Sequence, residues 1–211
     1  MTFDDLVARA RVLAAGDRRA VLGVAGSPGS GKSTLVALLL TELGPDVVAH
    51  VPMDGFHLAD VELARLGRAD RKGAPDTFDV AGYVALLRRL RAGGAGTIYA
   101  PAFEHDLDQA LAGAIAIPPT ARLVLTEGNY LLLDEPGWRD VRPELDEAWF
   151  CDLSVEVRLT RLTARHVAFG RTPEQAAAWV AAVDEPNAAR IENTRARADL
   201  VVPSALLQRI G

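Results

Sequence analysis

Residues 26–33 read Gly-Ser-Pro-Gly-Ser-Gly-Lys-Ser, a glycine-rich loop of the pattern G-x-x-x-x-G-K-S between two apolar runs. The run at residues 20–25 predicts a buried strand, and the run at residues 35–40 predicts a helix. Glycines let the backbone wrap around phosphate oxygens, and the first N–H groups of the following helix point at the same anion. The alternative is a turn that only joins a strand to a helix. Because every fixed position is filled and both flanks fit, the pattern favours binding of a nucleoside triphosphate.

In this interpretation the Lys32 ammonium reaches the β- and γ-phosphates, and the Ser33 hydroxyl coordinates Mg²⁺. The loop by itself does not distinguish ATP from GTP. The predicted nucleotide-binding residues are Gly26, Ser27, Pro28, Gly29, Ser30, Gly31, Lys32, Ser33 and Thr34.

Strand-like and helical patterns alternate along the chain of 211 residues. Further strands are predicted at residues 47–51, 121–126, 148–153 and 200–202, with a small one at 98–100. Helices are predicted at residues 3–15, 32–43, 80–91, 155–169, 173–183 and 186–197. This alternation predicts an α/β fold of the P-loop NTPase type, a parallel five-stranded sheet with helices on both faces. No linker divides the chain, so we expect one domain over residues 1–211, with an N-terminal helix within 1–17 and a lid with flanking helices at 155–185.

The composition excludes several classes of protein. The 28 acidic residues outnumber the 23 basic ones, which argues against a nucleic-acid-binding groove. The single cysteine, Cys151, excludes an intramolecular disulfide and lies in an apolar run typical of a buried filler. No apolar stretch is long enough to span a membrane, and the first five residues are too acidic for a signal peptide. We therefore expect a cytoplasmic protein without a membrane or nucleic-acid partner.

Acidic residues follow two of the predicted strands. In parallel sheets ligands bind beyond the carboxyl ends of the strands, so these positions are candidates for function. Asp54 follows the strand at 47–51 and is predicted to orient an acceptor hydroxyl and take its proton, although an Asp-Gly pair also forms turns. Glu127 ends the strand at 121–126 and is predicted to hold Mg²⁺, the alternative being a capping or turn carboxylate.

Two polar segments, residues 71–79 and 99–105, are predicted to enclose the acceptor. The candidate acceptor-binding residues are His57, Arg71, Asp79, Tyr99, Phe103 and His105. Four of them have a structural alternative, because Asp79 can cap a helix, Tyr99 and Phe103 can pack in the core and His57 can cap its own loop.

A row of arginines is predicted to clamp the transferring phosphoryl group together with Lys32. Arg158, Arg161 and Arg165 share one face of a predicted helix, and Arg171 follows one turn later. A solvated arginine face is the alternative. The predicted catalytic cations are Lys32, Arg161, Arg165 and Arg171, with no decision among the three arginines.

These segments together resemble the kinase family of P-loop proteins that includes uridine kinase, phosphoribulokinase and bacterial pantothenate kinase. They are most similar to its nucleoside/nucleotide kinase-like branch, also labelled as fructose transport system kinases. The resemblance covers about residues 18–203 and rests on residues 26–34, 52–57, 71–79, 127–133 and the arginine segment. The interval between Tyr99 and His105 is one residue longer than in uridine kinases and resembles that of pantothenate kinases.

The resemblance implies Asp54 as the catalytic base, Ser33 and Glu127 around Mg²⁺, Asp79 or Arg71 near the acceptor, and lid arginines on the phosphates of ATP. The expected activity is an ATP- and Mg²⁺-dependent phosphotransfer to a hydroxyl of a small metabolite: a nucleoside, a pantothenate-like alcohol or a sugar. The alternative is a nucleotide-binding regulatory or transport-associated module without an acceptor. The identity of the acceptor and the oligomeric state, with a homodimer among the expected assemblies, are left open.

Overall fold

The structure is a computed structural model that describes residues 1–210. Its strands are β1 Ala20–Ala25, β2 Val48–Pro52, β3 Ile98–Glu104, β4 Gln109–Ile117, β5 Leu123–Gly128, β6 Glu147–Asp152 and β7 Leu200–Pro203. Its helices are α1 Phe3–Ala14, α2 Lys32–Leu43, α3 Asp60–Arg65, α4 Val80–Ala92, α5 Val155–Ala168, α6 Pro173–Trp179, α7 Glu185–Glu192 and α8 Ser204–Ile210. None of these helices combines the length and the apolar character needed to cross a membrane.

Five parallel strands form the main sheet, in the order β2-β5-β1-β6-β7. Successive residues of β1 are buried on opposite faces of this sheet. Val21 and Ala25 pack in the core that includes α4, whereas Leu22 and Val24 pack in the core that includes α1, α2 and α8. A continuous apolar strand of this kind needs cover on both sides. The predicted α/β fold, with one parallel five-stranded sheet between two helical layers, is confirmed.

The strand register brings the carboxyl ends of three strands together. Glu127 near the end of β5 pairs with Pro52 of β2 on one side and with Val24 of β1 on the other. Asp54 lies two residues beyond β2, and the glycine-rich loop begins directly after β1. The sheet therefore places the two acidic residues and the loop at the same edge.

The segment predicted as a small strand at residues 98–100 is longer than expected. Strand β3 continues past Pro101 to Glu104 and pairs antiparallel with β4, so that the two form a separate sheet. The register shifts between Ala100 and Ala102, which places Pro101 in a bulge where its missing N–H costs no ladder hydrogen bond. The prediction that this strand ends before Pro101 was therefore wrong. The alanine-rich strand β4 was not predicted, because its alternation of apolar and polar residues is weak.

The helices after the main sheet also differ in detail from the expectation. Helix α6 ends at Trp179 and is joined to α7 by a π-helical turn over Val180–Asp184, and α7 ends at Glu192 rather than at residue 197. Insertions of this kind into a helix cannot be seen in its periodicity and are frequent at functional sites. Helices α3 and α8 were not predicted, because each is shorter than two full helical turns.

Candidate active site

The glycine-rich loop has the backbone geometry of an anion cradle. Gly29 and Gly31 have φ angles of +78° and +88°, in the left-handed region that favours glycine. Helix α2 begins directly after Gly31, and no side chain caps its first N–H groups. A Cβ atom on Gly29 would lie 2.9 Å from Leu162 Cγ and 3.0 Å from the carbonyl oxygen of Arg158. Both the backbone conformation and the close packing of α5 therefore require glycine here.

Three polar side chains meet at the start of α2. Lys32 Nζ donates to the carbonyl oxygen of Ser27 at 3.1 Å, and Ser33 Oγ donates to Glu127 Oε1 at 3.2 Å. Burial lowers the pKa of Lys32, against the opposing effect of Glu127. Burial also raises the pKa of Glu127 to about 7, against the opposing effect of Lys32. A dication and phosphate oxygens would stabilise the charged form of each group, so these residues fit an Mg²⁺–phosphate ligand.

A cleft of about 380 Å³ lies over the loop and is partly covered by α5. It is lined by Gly29, Gly31, Lys32, Ser33, Thr34, Arg161, Leu162 and Arg165. Two of the predicted arginines, Arg161 and Arg165, therefore face the phosphate loop from α5. The described residues hold no group of three or more His, Cys, Asp or Glu side chains that could bind a metal ion.

The other two arginines of the predicted clamp lie elsewhere. Arg158 is buried on α5 and forms an ion pair with Glu185 on α7. Arg171 packs its guanidinium carbon 4.0 Å from the ring centroid of Trp179 and does not line the cleft over the loop. The predicted clamp is therefore divided, because Glu185 and Trp179 engage two of its four members away from the cleft over the loop.

Asp54 lines a second cavity, of about 200 Å³, next to the first. This acceptor cavity, as we call it below, is lined by Pro28, Asp54, His57, Lys72, Gly73, Phe78, Asn129, Tyr130, Arg165, His166, Trp179, Val183, Asp184 and Asn187. Arg165 lines both spaces. Asp54 sits in a 3₁₀ turn over Met53–Phe56, and a Cβ atom on Gly55 would lie 2.4 Å from the carbonyl oxygen of Pro101. The turn is therefore held tightly against β3.

His57 fixes the other end of this turn. Its Nδ1 lies 2.8 Å from the carbonyl oxygen of Asp54, and its ring centroid lies 4.1 Å from that of Phe78 and 4.8 Å from that of Phe103. Burial lowers the pKa of His57, with Asp54 opposing the change. The imidazole is therefore uncharged at neutral pH, and it packs as an aromatic wall of the acceptor cavity.

Of the six residues predicted to bind the acceptor, only His57 lines the acceptor cavity. Arg71 pairs with Asp70 and Asp76 at the surface, and Asp79 is the N-cap of α4, where it accepts from the N–H of Gly82 at 2.8 Å. Tyr99 is exposed, Phe103 packs behind His57, and His105 stacks on Phe169 at the end of α5. These five residues do not line the acceptor cavity, and their predicted contact with an acceptor stays a prediction.

The acceptor cavity also contains residues that the sequence did not single out. Tyr130 Oη donates to the carbonyl oxygen of Gly73 at 2.6 Å, which holds the segment 71–79 against the loop that follows β5. His166 Nε2 lies 2.9 Å from Asp184 Oδ2, so the π-helical turn faces α5 across the cavity. Tyr130 could have been found, since it lies three residues past Glu127. Nothing in the sequence links His166 to Asp184.

Comparison with known proteins agrees with this geometry. The profile of the phosphoribulokinase / uridine kinase family matches residues 21–210. A "putative uridine kinase" from Schizosaccharomyces pombe is 32% identical over 219 residues, covering 99% of this chain and 93% of the relative. An uncharacterised protein of Escherichia coli, YggC, is 35% identical over 195 residues, covering 88% of this chain and 78% of the relative.

Solved structures share the fold of this chain. The crystal structure of a "putative fructose transport system kinase" from Silicibacter sp. TM1040 matches with a TM-score of 0.87 and 36% identity, over 96% of this chain and all of that one. YFH7 of Saccharomyces cerevisiae, described as a putative P-loop containing kinase, shares the fold with a TM-score of 0.79 at 19% identity, over 96% of this chain and 98% of that one. On the fold, the loop and these matches, the chain belongs to the phosphoribulokinase / uridine kinase family.

Proposed function

We propose that this protein is a kinase that transfers the γ-phosphoryl group of ATP to a hydroxyl of a small metabolite. The observation that carries the proposal is that Arg165 lines both the cleft over the phosphate loop and the acceptor cavity that contains Asp54. A phosphate donor and a hydroxyl acceptor bound in these two spaces would meet beside one guanidinium. Membership of a kinase family supports the same activity.

Different residues of the site have different roles in the phosphoryl transfer. Asp54 orients the acceptor hydroxyl and takes its proton as the acceptor oxygen bonds to the γ-phosphorus. The bond from that phosphorus to the bridging oxygen breaks, and its electron pair leaves with ADP. Lys32, Arg161 and Arg165 stabilise the negative charge spread over the transferring group.

Magnesium fits at the start of α2. The Ser33 hydroxyl and the Glu127 carboxylate would hold Mg²⁺ together with phosphate oxygens, since Mg²⁺ is usually bound by one or two carboxylates plus substrate phosphates. When bound, the ion supplies positive charge to the β- and γ-phosphate oxygens. Lys32, buried at the same place, adds a second positive charge from the protein side.

The acceptor cavity supports a compact alcohol as substrate. Rings of His57, Phe78, Tyr130 and Trp179 can pack against a sugar ring, a base or an alkyl chain. Asp54 provides a carboxylate for the reacting hydroxyl. A nucleoside, a pantothenate-like alcohol and a sugar all fit this description, and the relatives named for uridine and fructose support the same range.

The proposal is tested by ADP release from Mg²⁺–ATP in the presence of nucleosides, pantothenate analogues and sugars. We expect at least one acceptor to raise ADP release well above the rate without acceptor. The variant Asp54→Asn should lower kcat by about 10²- to 10⁴-fold while the Kd for the nucleotide changes little. Asp106→Asn, on the exposed tip of the β3–β4 hairpin, is the matched control and should retain kcat.

Two results would count against the proposal. If no acceptor stimulates ADP release, a nucleotide-binding regulatory module becomes the better description. If the Asp54→Asn variant keeps its kcat with an accepted substrate, the protein is a kinase but Asp54 is not its base.

A further inference from the structure

Lys72 is a cation in the wall of the acceptor cavity whose charge is already matched by protein groups. Its Nζ lies 2.7 Å from Asp60 Oδ1 and 2.8 Å from Asp108 Oδ2, and it also donates to the carbonyl oxygen of Asp108. An ammonium group has three protons, so these three acceptors use all of them. The Lys72 side chain is only 17% exposed. It therefore has no free proton to offer to a bound molecule.

The hairpin between β3 and β4 is shaped to make this contact. Asp108, at its tip, is the one non-glycine residue with a positive φ among residues 1–210, at +51°. Left-handed backbone costs a non-glycine residue about 1 kcal/mol or more, so such positions persist where other contacts hold them. Here the conformation directs both the carbonyl and the carboxylate of Asp108 at Lys72. Gln109 adds a further link, because its Oε1 accepts from the N–H of Asp60 at 3.3 Å.

The remaining charged groups that line the acceptor cavity leave no cation free for an acidic acceptor. His166 is paired with Asp184, and buried His57 has a lowered pKa. Arg165 also lines the cleft over the phosphate loop, where the phosphates of ATP would occupy it. The Asp54 carboxylate faces the reacting hydroxyl. A carboxylate or phosphate on the acceptor would thus enter a cavity whose unpaired charge is negative.

We propose that the Lys72–Asp60–Asp108 cluster makes the acceptor cavity select uncharged hydroxyl compounds, such as neutral sugars, polyols and nucleosides, over their acidic analogues. Asp60 and Asp108 act as specificity-determining residues because their carboxylates pair with the Lys72 ammonium and neutralise its charge. This inference rests on the proposed kinase function and narrows its acceptor class.

Matched pairs of acceptors that differ by one acidic group test the inference. Suitable pairs are uridine with orotidine, pantothenol with pantothenate, and glycerol with D-glycerate. For each pair in which either member is phosphorylated, kcat/KM of the neutral member should exceed that of the acid by about tenfold or more.

Variants then assign the selectivity to the cluster. Asp108→Asn releases one partner of Lys72 and should raise kcat/KM for the acid about three- to tenfold with little change for the neutral compound. Asp60→Asn frees the same ammonium from the other side and should act in the same direction. Asp106→Asn removes one negative charge from the same hairpin tip without touching Lys72, and should leave the ratio unchanged. Thermal unfolding of each variant verifies that it is folded.

The outcomes separate this inference from the proposed function. Preference for the acidic member overturns the inference while the kinase activity stands. An equal change of the ratio in Asp106→Asn and Asp108→Asn also overturns it, because the effect is then one of net charge. If neither these pairs nor any other compound of the acceptor panel raises ADP release, the proposed function fails and this inference fails with it.

Discussion

A buried chain of hydroxyl groups joins α4 to the strands β2 and β5, which lead to Asp54 and Glu127. Thr126 Oγ1 donates its single proton to the carbonyl oxygen of Val51 at 2.6 Å, so Tyr83 Oη, 2.5 Å from the same atom, must be the donor to it. Tyr83 and Thr126 are both fully buried. This fixed direction means that the two hydroxyl groups are not equivalent, and their removal should have unequal costs.

The structure sets the expected magnitudes. Tyr83→Phe removes one donor and leaves Thr126 still bonded to Val51, at a cost of about 1 kcal/mol in the free energy of unfolding. Thr126→Val keeps the volume of the side chain but removes its hydroxyl. Both the Tyr83 hydroxyl and the Val51 carbonyl then lose their hydrogen bond to Thr126 Oγ1. At about 1–3 kcal/mol for each of these two unpaired groups, the expected cost is roughly 2–6 kcal/mol. In the Thr126→Val background, Tyr83→Phe removes a buried hydroxyl that has no hydrogen-bond partner and should stabilise the protein by about 1 kcal/mol.

The assay is urea unfolding followed by circular dichroism for the two single variants and the double variant, with free energies from linear extrapolation. Tyr99→Phe, which removes the same hydroxyl from an exposed tyrosine, is the control and should change the free energy by less than about 0.5 kcal/mol. The decisive result is the sign of the change in the free energy of unfolding that Tyr83→Phe causes, first in the unmodified protein and then in the Thr126→Val variant. If that substitution destabilises both by the same amount, the hydrogen-bond chain described here is refuted.

Three further predictions concern the phosphate loop, the lid and pH. Gly29→Ala should raise the Kd for ATP at least about tenfold in titration calorimetry, because the new methyl group would collide with α5. Gly44→Ala, at a similar φ of +83° but with open space around it, should leave that Kd unchanged. Arg165→Ala should lower kcat by about 10²- to 10³-fold, whereas Arg171→Ala should affect kcat much less; equal losses in steady-state kinetics would place both guanidiniums on the phosphates. Burial lowers the pKa of His50, so the folded state resists its protonation and stability is lost as the pH falls from about 6.5 through the folded pKa. His50→Leu should flatten this loss by up to about 1.4 kcal/mol per pH unit below pH 6.5, and an unchanged slope in urea unfolding would contradict it.

The main sheet could be predicted because its signals are local. Each strand is a short apolar run, and the glycine-rich loop after β1 marks both a strand end and a helix start. The β3–β4 hairpin could not be predicted, since pairing across the bulge at Pro101 is what makes these residues strands. The same holds for the π-helical turn Val180–Asp184, because the periodicity of a sequence carries no signal for a residue inserted into a helix.

In the candidate site, too, the features with a local sequence signal could be predicted and those that depend on tertiary packing could not. The positions of Asp54 and Glu127 follow from where strands end, and the structure brings both to the edge that carries the phosphate loop. The roles assigned to them stay predictions. Lys72 lay within a segment predicted to bind the acceptor, yet its two carboxylate partners lie on α3 and at a hairpin tip. Contacts between such distant parts of the chain depend on tertiary packing, and one sequence does not contain a signal for them.

The separation of the two sheets has a consequence for how this family can diversify. The hairpin β3–β4 shares no ladder with the five strands that carry the phosphate loop, yet Asp108 at its tip pairs with Lys72 in the wall of the acceptor cavity. If the proposed kinase function holds, we expect mutation, insertion or exchange of the hairpin to alter acceptor choice without disturbing the strand register beneath the phosphate loop. Chimeras that exchange this hairpin between relatives would show whether acceptor preference moves with the hairpin.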